Sequence, residues 1–232
     1  MTVQENCIFK LIYEASPDSL WNGRPIWQFR NELGKTMGML LQQSLQSKYD
    51  CVVPVPCTGI AYAEGVAEGI GLPIIEAISK NTAERFFMVW DRKQRARDIA
   101  QCFTIDREAI KGKKIILVDE AIFTGTTMKW LCQEMRKAGA ERIGIVIPTA
   151  EAVSACEYGV QPRRQMLLEK IPHSRLTEYF GADDLHFADR EFFKQFAEAA
   201  GASCCRCFSE RRTISFQAFF GKTEPVPVLQ IS

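Results

Sequence analysis

Three short apolar runs predict buried β-strands, at residues 51–55, 115–118 and 143–147. Each run is almost continuously apolar, which is typical of strands in a sheet that is covered on both faces. Helical patterns lie between them at residues 60–70 and 128–138, and the second pattern stops before Gly139, a suitable helix end. The order strand, helix, strand over residues 115–147 predicts a right-handed βαβ unit. The pattern therefore predicts an α/β fold with a mainly parallel sheet flanked by helices.

Three segments lie outside this predicted core. Residues 8–13 are apolar enough to predict a strand, and Ser16-Pro17-Asp18 predicts a turn after it. Residues 82–106 are rich in charge and predict an exposed excursion between two strands. Residues 201–232 follow a helix-like stretch and contain three cysteines and three arginines. We expect this last segment to be held down by something other than core packing.

Composition and charge argue against several classes of protein. The chain has 232 residues, of which 47% are hydrophobic and 25% are charged, as in ordinary globular domains. Its net charge of +1 argues against a nucleic-acid partner and against a membrane surface. No apolar run reaches the roughly 18 residues of a membrane span, and the first six residues predict no signal peptide. We expect a cytoplasmic protein, in which nine cysteines indicate buried thiols, a reactive thiol or a metal site.

The most informative stretch is residues 115–127, where an apolar strand ends in Asp119 and Glu120 and a short loop leads into a helix. Ligands of α/β proteins bind at this edge of the sheet. A helix N-terminus preceded by Gly125 suits a phosphate, and carboxylates accept hydrogen bonds from a diol. The stretch therefore predicts a site for a phosphorylated sugar. The alternative is that the acids only end the strand and a threonine caps the helix. No Walker A sequence follows, which argues against a nucleoside triphosphatase.

Several motifs, found in family order, resemble type I phosphoribosyltransferases, and most closely the transferase half of glutamine phosphoribosyl pyrophosphate (PRPP) amidotransferases. The matching segments are 7–19 (the opening of that half), 53–59 (the pyrophosphate loop), Lys80-Asn81 with Arg85 and Phe86 (the flexible loop), 118–127 (the PRPP signature), Tyr158-Gly159 and 181–185. The resemblance spans about residues 5–210. It implies a type I phosphoribosyltransferase fold over 1–200, with a small hood from the N-terminal and 160–190 segments, and a tail over 201–232.

The resemblance also implies a binding site for PRPP. Asp119 and Glu120 would hold the ribose hydroxyls, and Mg²⁺ would bridge the oxygens of the pyrophosphate. Arg85 would close over the pyrophosphate, with a solvated surface charge as the alternative. The implied PRPP-binding residues are Cys57, Thr58, Gly59, Asp119, Glu120, Ala121, Phe123, Thr124, Gly125, Thr126 and Thr127. The implied catalytic residues are Asp119, Glu120 and Arg85.

Departures from the family pattern concern the acceptor. The chain begins a few residues before the transferase half, so we expect it to lack the family's glutaminase domain. Cys57 and Glu120 stand where the family usually has Asp, and the loop before Gly125 lacks the usual Arg. These departures predict transfer of 5-phosphoribose from PRPP to a small-molecule amine or hydroxyl acceptor, with release of pyrophosphate, for example in aminoglycoside antibiotic biosynthesis. Two alternative functions stay open: an ammonia-dependent phosphoribosylamine synthase with a separate ammonia-supplying partner, and a non-catalytic PRPP-binding regulator. A homo-oligomer also stays open.

The cysteines predict a second site. Cys204 and Cys207 form a C-x-x-C pattern, which indicates metal or redox chemistry. One class of PRPP amidotransferases binds a 4Fe–4S cluster, and the resemblance implies Cys7, Cys156, Cys204 and Cys207 as its ligands, pinning the tail to the core. Cys205 is the rival ligand, and zinc or no metal are the alternatives. A structural or a regulatory role stays open. The remaining cysteines are predicted as core or pocket thiols: Cys51, Cys57, Cys102 and Cys132.

Overall fold

The computed structural model describes residues 6–81, 99–156 and 166–209. The strands in these ranges are β1 (Leu20–Trp21), β2 (Arg24–Pro25), β3 (Cys51–Pro54), β4 (Ile78–Lys80), β5 (Phe103–Ile105), β6 (Lys114–Val118), β7 (Arg142–Ile147) and β8 (Asp184–Phe187). The α-helices that lie wholly in these ranges are α1 (Ile26–Leu45), α2 (Gly59–Ile70), α3 (Arg107–Ile110), α4 (Thr126–Lys137), α5 (Leu176–Phe180), α6 (Arg190–Ala199) and α7 (Arg206–Ser209). Residues 99–102 are also helical.

The central element is a four-stranded sheet in the order β3-β6-β7-β8. All its pairings are parallel, with Val53 opposite Leu117 and Leu117 opposite Ile145. The three predicted strands and the βαβ order of β6, α4 and β7 are therefore confirmed. Two short antiparallel pairs, β1 with β2 and β4 with β5, complete the described strands. The predicted exposed excursion over residues 82–106 is wrong in its described part, because Ile99 and Cys102 are buried and residues 103–105 form β5, which pairs with β4. Residues 82–98 lie outside the described residues.

Alternate residues of the central strands face two separate hydrophobic cores. Ile116 and Val146 face the core formed with α1, α2 and α6, whereas Leu117 and Ile145 face the core formed with α4, α5 and β4. All four side chains are fully buried. Burying an aliphatic side chain of this size contributes about 1.5–3 kcal/mol. Because both faces are covered, the strands are almost continuously apolar in sequence, as the pattern predicted.

Helices α1 and α2 pack so closely that their backbones are in contact. A Cβ on Gly34 would lie 2.2 Å from the carbonyl oxygen of Tyr62, and a Cβ on Gly65 would lie 2.0 Å from that of Asn31. Only glycine at these positions allows the two helix backbones to touch. One turn before each of these glycines lie Arg30 on α1 and Tyr62 on α2, which the close packing brings to the same side of the sheet.

The prediction of a strand at residues 8–13 is wrong. These residues are helical, and the helix widens to π-type over Lys10–Glu14. Ile8, Leu11 and Ile12 are all buried, and their spacing of three and four residues is the helical period. In a run of only six residues, apolar content alone does not distinguish the two-residue period of a strand from the 3.6-residue period of a helix. The predicted turn that follows is confirmed, since the Ser19 N–H donates to the Ser16 carbonyl at 3.1 Å.

The described part of the C-terminal segment is fixed by backbone hydrogen bonds to distant segments. The Ile8 N–H donates to the Cys204 carbonyl at 3.0 Å, and the Val153 N–H donates to the Cys207 carbonyl at 2.8 Å. These bonds anchor residues 203–208 against residues 8–15, which we call the N-terminal turn, and against residue 153. Residues 210–232 lie outside the described ranges. Among the described helices, none is both long and apolar enough to span a bilayer.

Candidate active site

The two predicted acids lie at the carboxyl edge of the sheet. Strand β6 ends at Val118, and Asp119 and Glu120 follow it directly. The Glu120 N–H donates to Asp119 Oδ1 at 3.0 Å, and Thr149 Oγ1 donates to the Glu120 carbonyl at 2.7 Å. Thr149 follows the end of the neighbouring strand β7. Two adjacent strand ends therefore fix the backbone of the acid pair.

Burial changes the ionisation of both acids. Glu120 is only 7% exposed. Burial, and then the charge of Asp119, hold the pKa of Glu120 well above its usual value, while the Arg30 guanidinium acts in the opposite direction. Burial also raises the pKa of Asp119. Carboxyl groups with strongly shifted pKa values are found more often at functional sites than elsewhere in proteins.

The loop that joins the acids to α4 is built to receive an anion. Gly125 directly precedes the helix and has a φ of +73°. Residues with a side chain rarely adopt this left-handed conformation, whereas glycine does so without strain. The first N–H groups of a helix have no intrahelical partner and carry the positive end of its dipole. No acidic side chain lies in the first turn of α4, and the hydroxyls of Thr124 and Thr126 are 3.2 Å apart. The loop can therefore bind a phosphate through N–H and hydroxyl donors.

A second loop, between β3 and α2, lies against the acid pair. The Val55 N–H donates to the Val118 carbonyl at 2.9 Å. A Cβ on Gly59 would lie 2.8 Å from the same carbonyl oxygen and 3.3 Å from the Asp119 Cα. The glycine thus allows the start of α2 to approach the acids. Cys57, in the middle of the loop, is exposed, and the Pro56–Cys57 peptide bond is cis.

These elements enclose a cavity of about 500 Å³. It is lined by ten of the predicted site residues: Cys57, Thr58, Asp119, Glu120, Ala121, Phe123, Thr124, Gly125, Thr126 and Thr127. Gly59 does not line it and instead sets the distance between the second loop and the acids. Arg85 lies outside the described residues. One continuous cavity therefore joins the acid pair to both loops.

The cavity wall also contains residues that the sequence did not identify. Tyr13, Ser16 and Pro17 line it from the N-terminal segment, and Arg30 lines it from α1. Arg30 was detectable in principle, because the buried positions Ile26, Phe29, Leu33 and Met37 put it on the buried face of its helix. No pattern in the sequence identified Tyr13, Ser16 and Pro17 as cavity residues, because their position at the cavity depends on how the N-terminal segment folds against the sheet.

The four predicted cluster cysteines converge from three distant segments. Burial is the main cause that raises the pKa of Cys7 to about 11, and nearby Cys204 and Cys156 add to the effect. Burial, followed by the charges of Cys7, Cys156 and Cys204, raises the pKa of Cys207 well above its usual value. Cys207 therefore lies close to the other three thiols, and Cys7 lies close to Cys204 and Cys156. Even so, in the described ranges no group of three or more His, Cys, Asp or Glu side chains is arranged as a metal site.

An aromatic contact joins the two candidate sites. Phe123, in the wall of the cavity, packs with its ring centroid 5.5 Å from that of Phe9 and 6.0 Å from that of Phe208. Phe9 lies two residues after Cys7, and Phe208 directly follows Cys207. The cysteine region thus supports the back of the cavity without lining it.

Comparison with known proteins gives the same match from sequence and from structure. Residues 29–157 match the model of the phosphoribosyl transferase domain. The chain is 29% identical to an amidophosphoribosyltransferase of Synechococcus elongatus, covering 90% of this chain and 42% of that protein. It is also 29% identical to an amidophosphoribosyltransferase of Archaeoglobus fulgidus, covering 90% of this chain and 46% of that protein. The chain therefore spans less than half the length of these relatives.

Among solved structures, one similar fold is a glutamine PRPP amidotransferase from B. subtilis complexed with ADP and GMP. Its TM-score is 0.73 at 25% identity, over 90% of this chain and 48% of that one. A second, described as the allosteric regulatory enzyme of purine biosynthesis, has a TM-score of 0.72 at 26% identity, over 88% of this chain and 44% of that one. Both similarities extend over nearly all of this chain.

Proposed function

Because this chain belongs to the phosphoribosyl transferase domain family, we propose that its cavity binds PRPP and that it transfers the 5-phosphoribosyl group to an amine or hydroxyl acceptor. The observation that carries the proposal is that the partly buried Asp119 and the buried Glu120 share one cavity with a helix N-terminus at the same sheet edge. Such a cavity offers acceptors for a diol and donors for a phosphate at the same time. PRPP carries both groups on one ribose.

Each part of the cavity has a role in this proposal. The N–H groups and hydroxyls of Thr124–Thr127 hold the 5-phosphate, and Asp119 and Glu120 accept hydrogen bonds from the ribose hydroxyls. The loop at Cys57 and Thr58 receives the pyrophosphate. Arg85, which lies outside the described residues, is assigned to contact the pyrophosphate. Mg²⁺ that arrives with PRPP would supply positive charge to the departing pyrophosphate. The ion is expected to be held mainly by the substrate, and we assign it no side-chain ligand.

The reaction is a displacement at the anomeric carbon. The bond between that carbon and the pyrophosphate oxygen breaks, and the bonding pair leaves with pyrophosphate. A lone pair of the acceptor nitrogen or oxygen forms the new bond, and the acceptor then loses one proton to solvent. The protein contributes positioning, stabilisation of developing charge and exclusion of water.

Ammonia is the second candidate acceptor, because the curated relatives are named amidophosphoribosyltransferases. The exposed Cys57 at the pyrophosphate loop favours a different acceptor, since the family usually has an acid there. We include a secondary metabolite such as an aminoglycoside among the acceptors of this proposal. If ammonia is the acceptor, a separate partner would supply it. Assembly of the chain into a homo-oligomer is also part of the proposal.

Pyrophosphate release tests these alternatives. The purified chain is incubated with PRPP and Mg²⁺, alone or with ammonia, glutamine, or a panel of amines and aminoglycosides. Release only with a metabolite acceptor supports our proposal, and release with ammonia supports the phosphoribosylamine synthase. PRPP binding without release under any condition supports a non-catalytic regulator. Failure to bind PRPP would contradict the assignment of the cavity.

We also propose that Cys7, Cys156, Cys204 and Cys207 hold a 4Fe–4S cluster with a structural role. The donor set supports this, because four thiolates are the usual ligands of such clusters and these four converge. Their side chains must turn toward one another to close the site. A reducing, cytoplasmic location would keep these thiols available. The cluster would connect the N-terminal turn to the C-terminal segment, and we assign it no part in the transfer.

Iron content tests the cluster. Protein purified without oxygen should be brown and contain about four irons per chain. Cys156→Ser should lose the iron, whereas Cys57→Ser, a matched change at an exposed cysteine, should retain it. Retention of iron by Cys205→Ser would assign Cys204 rather than Cys205 as a ligand. Colourless anaerobic protein containing zinc would contradict the proposal.

A further inference from the structure

Thr149 is a fully buried polar residue next to the acid pair. Strand β7 ends at Ile147, and the following Pro148 has no N–H to donate to a neighbouring strand. Thr149 comes next and is 0% exposed. Burying a hydroxyl costs free energy unless it is hydrogen-bonded, so the partner of Thr149 shows what this side chain holds in place.

The side chain of Thr149 holds the backbone of Glu120. Thr149 Oγ1 donates to the Glu120 carbonyl oxygen at 2.7 Å, and this bond is buried. The backbone of Thr149 is fixed in turn, because the Ala188 N–H, directly after β8, donates to the carbonyls of Thr149 and Ile147, each at 3.1 Å. The hydroxyl therefore ties Glu120 to the ends of two further strands, β7 and β8.

Both backbone groups of Glu120 are hydrogen-bonded. Its N–H donates to Asp119 Oδ1 at 3.0 Å, and its carbonyl accepts from Thr149. Peptide units are planar, so fixing the units on both sides of a Cα also fixes the direction of its Cβ. Glu120 lines the cavity, whereas Thr149 does not. Any influence of the Thr149 hydroxyl on a ligand therefore passes through Glu120.

We propose that Thr149 is a positioning residue, whose hydroxyl fixes the Glu120 backbone and thereby directs the Glu120 carboxyl group toward the ribose hydroxyls of PRPP. This inference rests on the proposed function. Thr149 makes no contact with the substrate in this role, and we assign it no part in the displacement. In the alternative, its hydrogen bond only stabilises the fold. The two roles differ in whether a loss of affinity depends on the diol of the ligand and on the Glu120 side chain.

The test measures the affinity of three ligands by calorimetry with Mg²⁺: PRPP, ribose 5-phosphate and pyrophosphate. The proteins are wild type, Thr149→Val, which lacks the hydroxyl, Thr149→Ser, which keeps it, and Thr36→Val. Thr36 is the matched control, because its Oγ1 also donates to a backbone carbonyl, that of Glu32 at 2.9 Å, but at an exposed site away from the cavity wall. Pyrophosphate carries no diol, so it reports on the rest of the cavity.

Thr149→Val should weaken PRPP and ribose 5-phosphate binding at least about tenfold, because the Glu120 carboxyl group is no longer held in position. Its pyrophosphate affinity should change by less than about twofold, and Thr149→Ser should stay within about threefold of wild type for all three ligands. Thr36→Val should match wild type. Unchanged PRPP affinity in Thr149→Val, equal weakening of all three ligands, or no rescue by serine would overturn the proposal. Absence of PRPP binding by wild type would instead refute the proposed function.

A double-mutant cycle with Glu120→Ala tests whether the effect passes through the Glu120 side chain. Thr149→Val should weaken PRPP binding by less than about twofold when residue 120 is already alanine, and an additive loss would overturn the proposal. If Thr149→Val does not fold, Thr149→Cys, whose thiol is a weaker donor, takes its place. That variant should lose affinity for the two ligands with a diol and keep it for pyrophosphate, and wild-type affinity for all three would contradict the proposal.

Discussion

The cavity at the sheet edge and the cysteine region differ in how their parts are brought together. Most of the cavity comes from two contiguous segments, residues 55–58 and 119–128, each fixed by a strand end and a helix start. The cysteine region gathers single residues from three distant segments, which backbone hydrogen bonds hold near one another. The predicted binding residues of these segments line one cavity, whereas the four thiols converge without forming a metal site among the described residues.

This difference teaches that preorganisation follows from local sequence. A strand end and a helix N-terminus position their side chains and free N–H groups through the geometry of the backbone, so no further ordering is needed to form the cavity. In the cysteine region, burial and the neighbouring thiols instead raise the pKa of Cys7 and of Cys207, which disfavours the thiolate form of these two residues. We infer that a bound cluster would complete the cysteine region, while the cavity needs only its substrate. The two regions touch at Phe123, so each can be perturbed and the other observed.

Among the changes that separate the two regions, Gly59→Ala has the largest expected effect. The new Cβ would meet the Val118 carbonyl oxygen at 2.8 Å and push the start of α2 away from the acids. We expect PRPP affinity to fall at least about tenfold and stability to fall by about 1–3 kcal/mol, with iron content unchanged. Calorimetry, thermal unfolding and iron analysis measure the three quantities. Ile60→Ala, at a partly exposed neighbour on the same helix, is the control, and an equal loss there would contradict this explanation.

Cys7→Ser perturbs the other region. It should abolish iron binding and lower Tm by about 5 °C, because the N-terminal turn loses its proposed tie to the C-terminal segment. PRPP affinity should change by less than about threefold, since Cys7 does not line the cavity. Iron analysis and calorimetry on the same anaerobic preparation check both parts. A large loss of PRPP affinity would mean that the contacts of Phe123 couple the regions more strongly than we describe.

The pH dependence of PRPP binding probes the raised pKa of Glu120. An acid with a raised pKa is ionised only above that pKa, so the hydrogen bonds it accepts from the diol are lost as the pH falls through it. The ratio of wild-type to Glu120→Gln affinity removes the titration of PRPP itself. This ratio should fall with acidification, by up to about tenfold per pH unit, starting above the usual range of a glutamate. A ratio independent of pH would contradict the role of ionised Glu120.

The smallest expected effect is a gain in stability in Glu120→Gln. The folded protein holds the Glu120 proton more tightly than the unfolded chain, so ionisation destabilises the fold as pH rises from the unfolded pKa through the raised one. Near pH 8, Glu120→Gln should remove this cost and raise Tm by about 2 °C or more. Below the unfolded pKa the gain should disappear. Thermal unfolding at both pH values gives the result, and a gain at low pH only would reverse the sign we assign.

The sequence predicted the parts of the molecule that depend on local patterns. Continuous apolar runs identified β3, β6 and β7, because strands covered on both faces show no alternation. The acids and the loop before α4 were predictable because they are contiguous. The N-terminal turn was mistaken for a strand, and Arg30 was missed in the cavity wall, because its position depends on two helices meeting at glycines far apart in sequence. Tertiary contacts of this kind leave little trace in a local pattern.

The central claim is that the acid pair and the loop before α4 bind PRPP together. Its most direct test is a calorimetric titration of wild type and Asp119→Asn with PRPP in the presence of Mg²⁺, using ribose 5-phosphate and pyrophosphate as separate ligands. Wild type should bind PRPP with one site per chain, and Asp119→Asn should bind it at least about 100-fold more weakly while keeping its affinity for pyrophosphate. Equal PRPP affinity in the two proteins would contradict the assignment of the cavity.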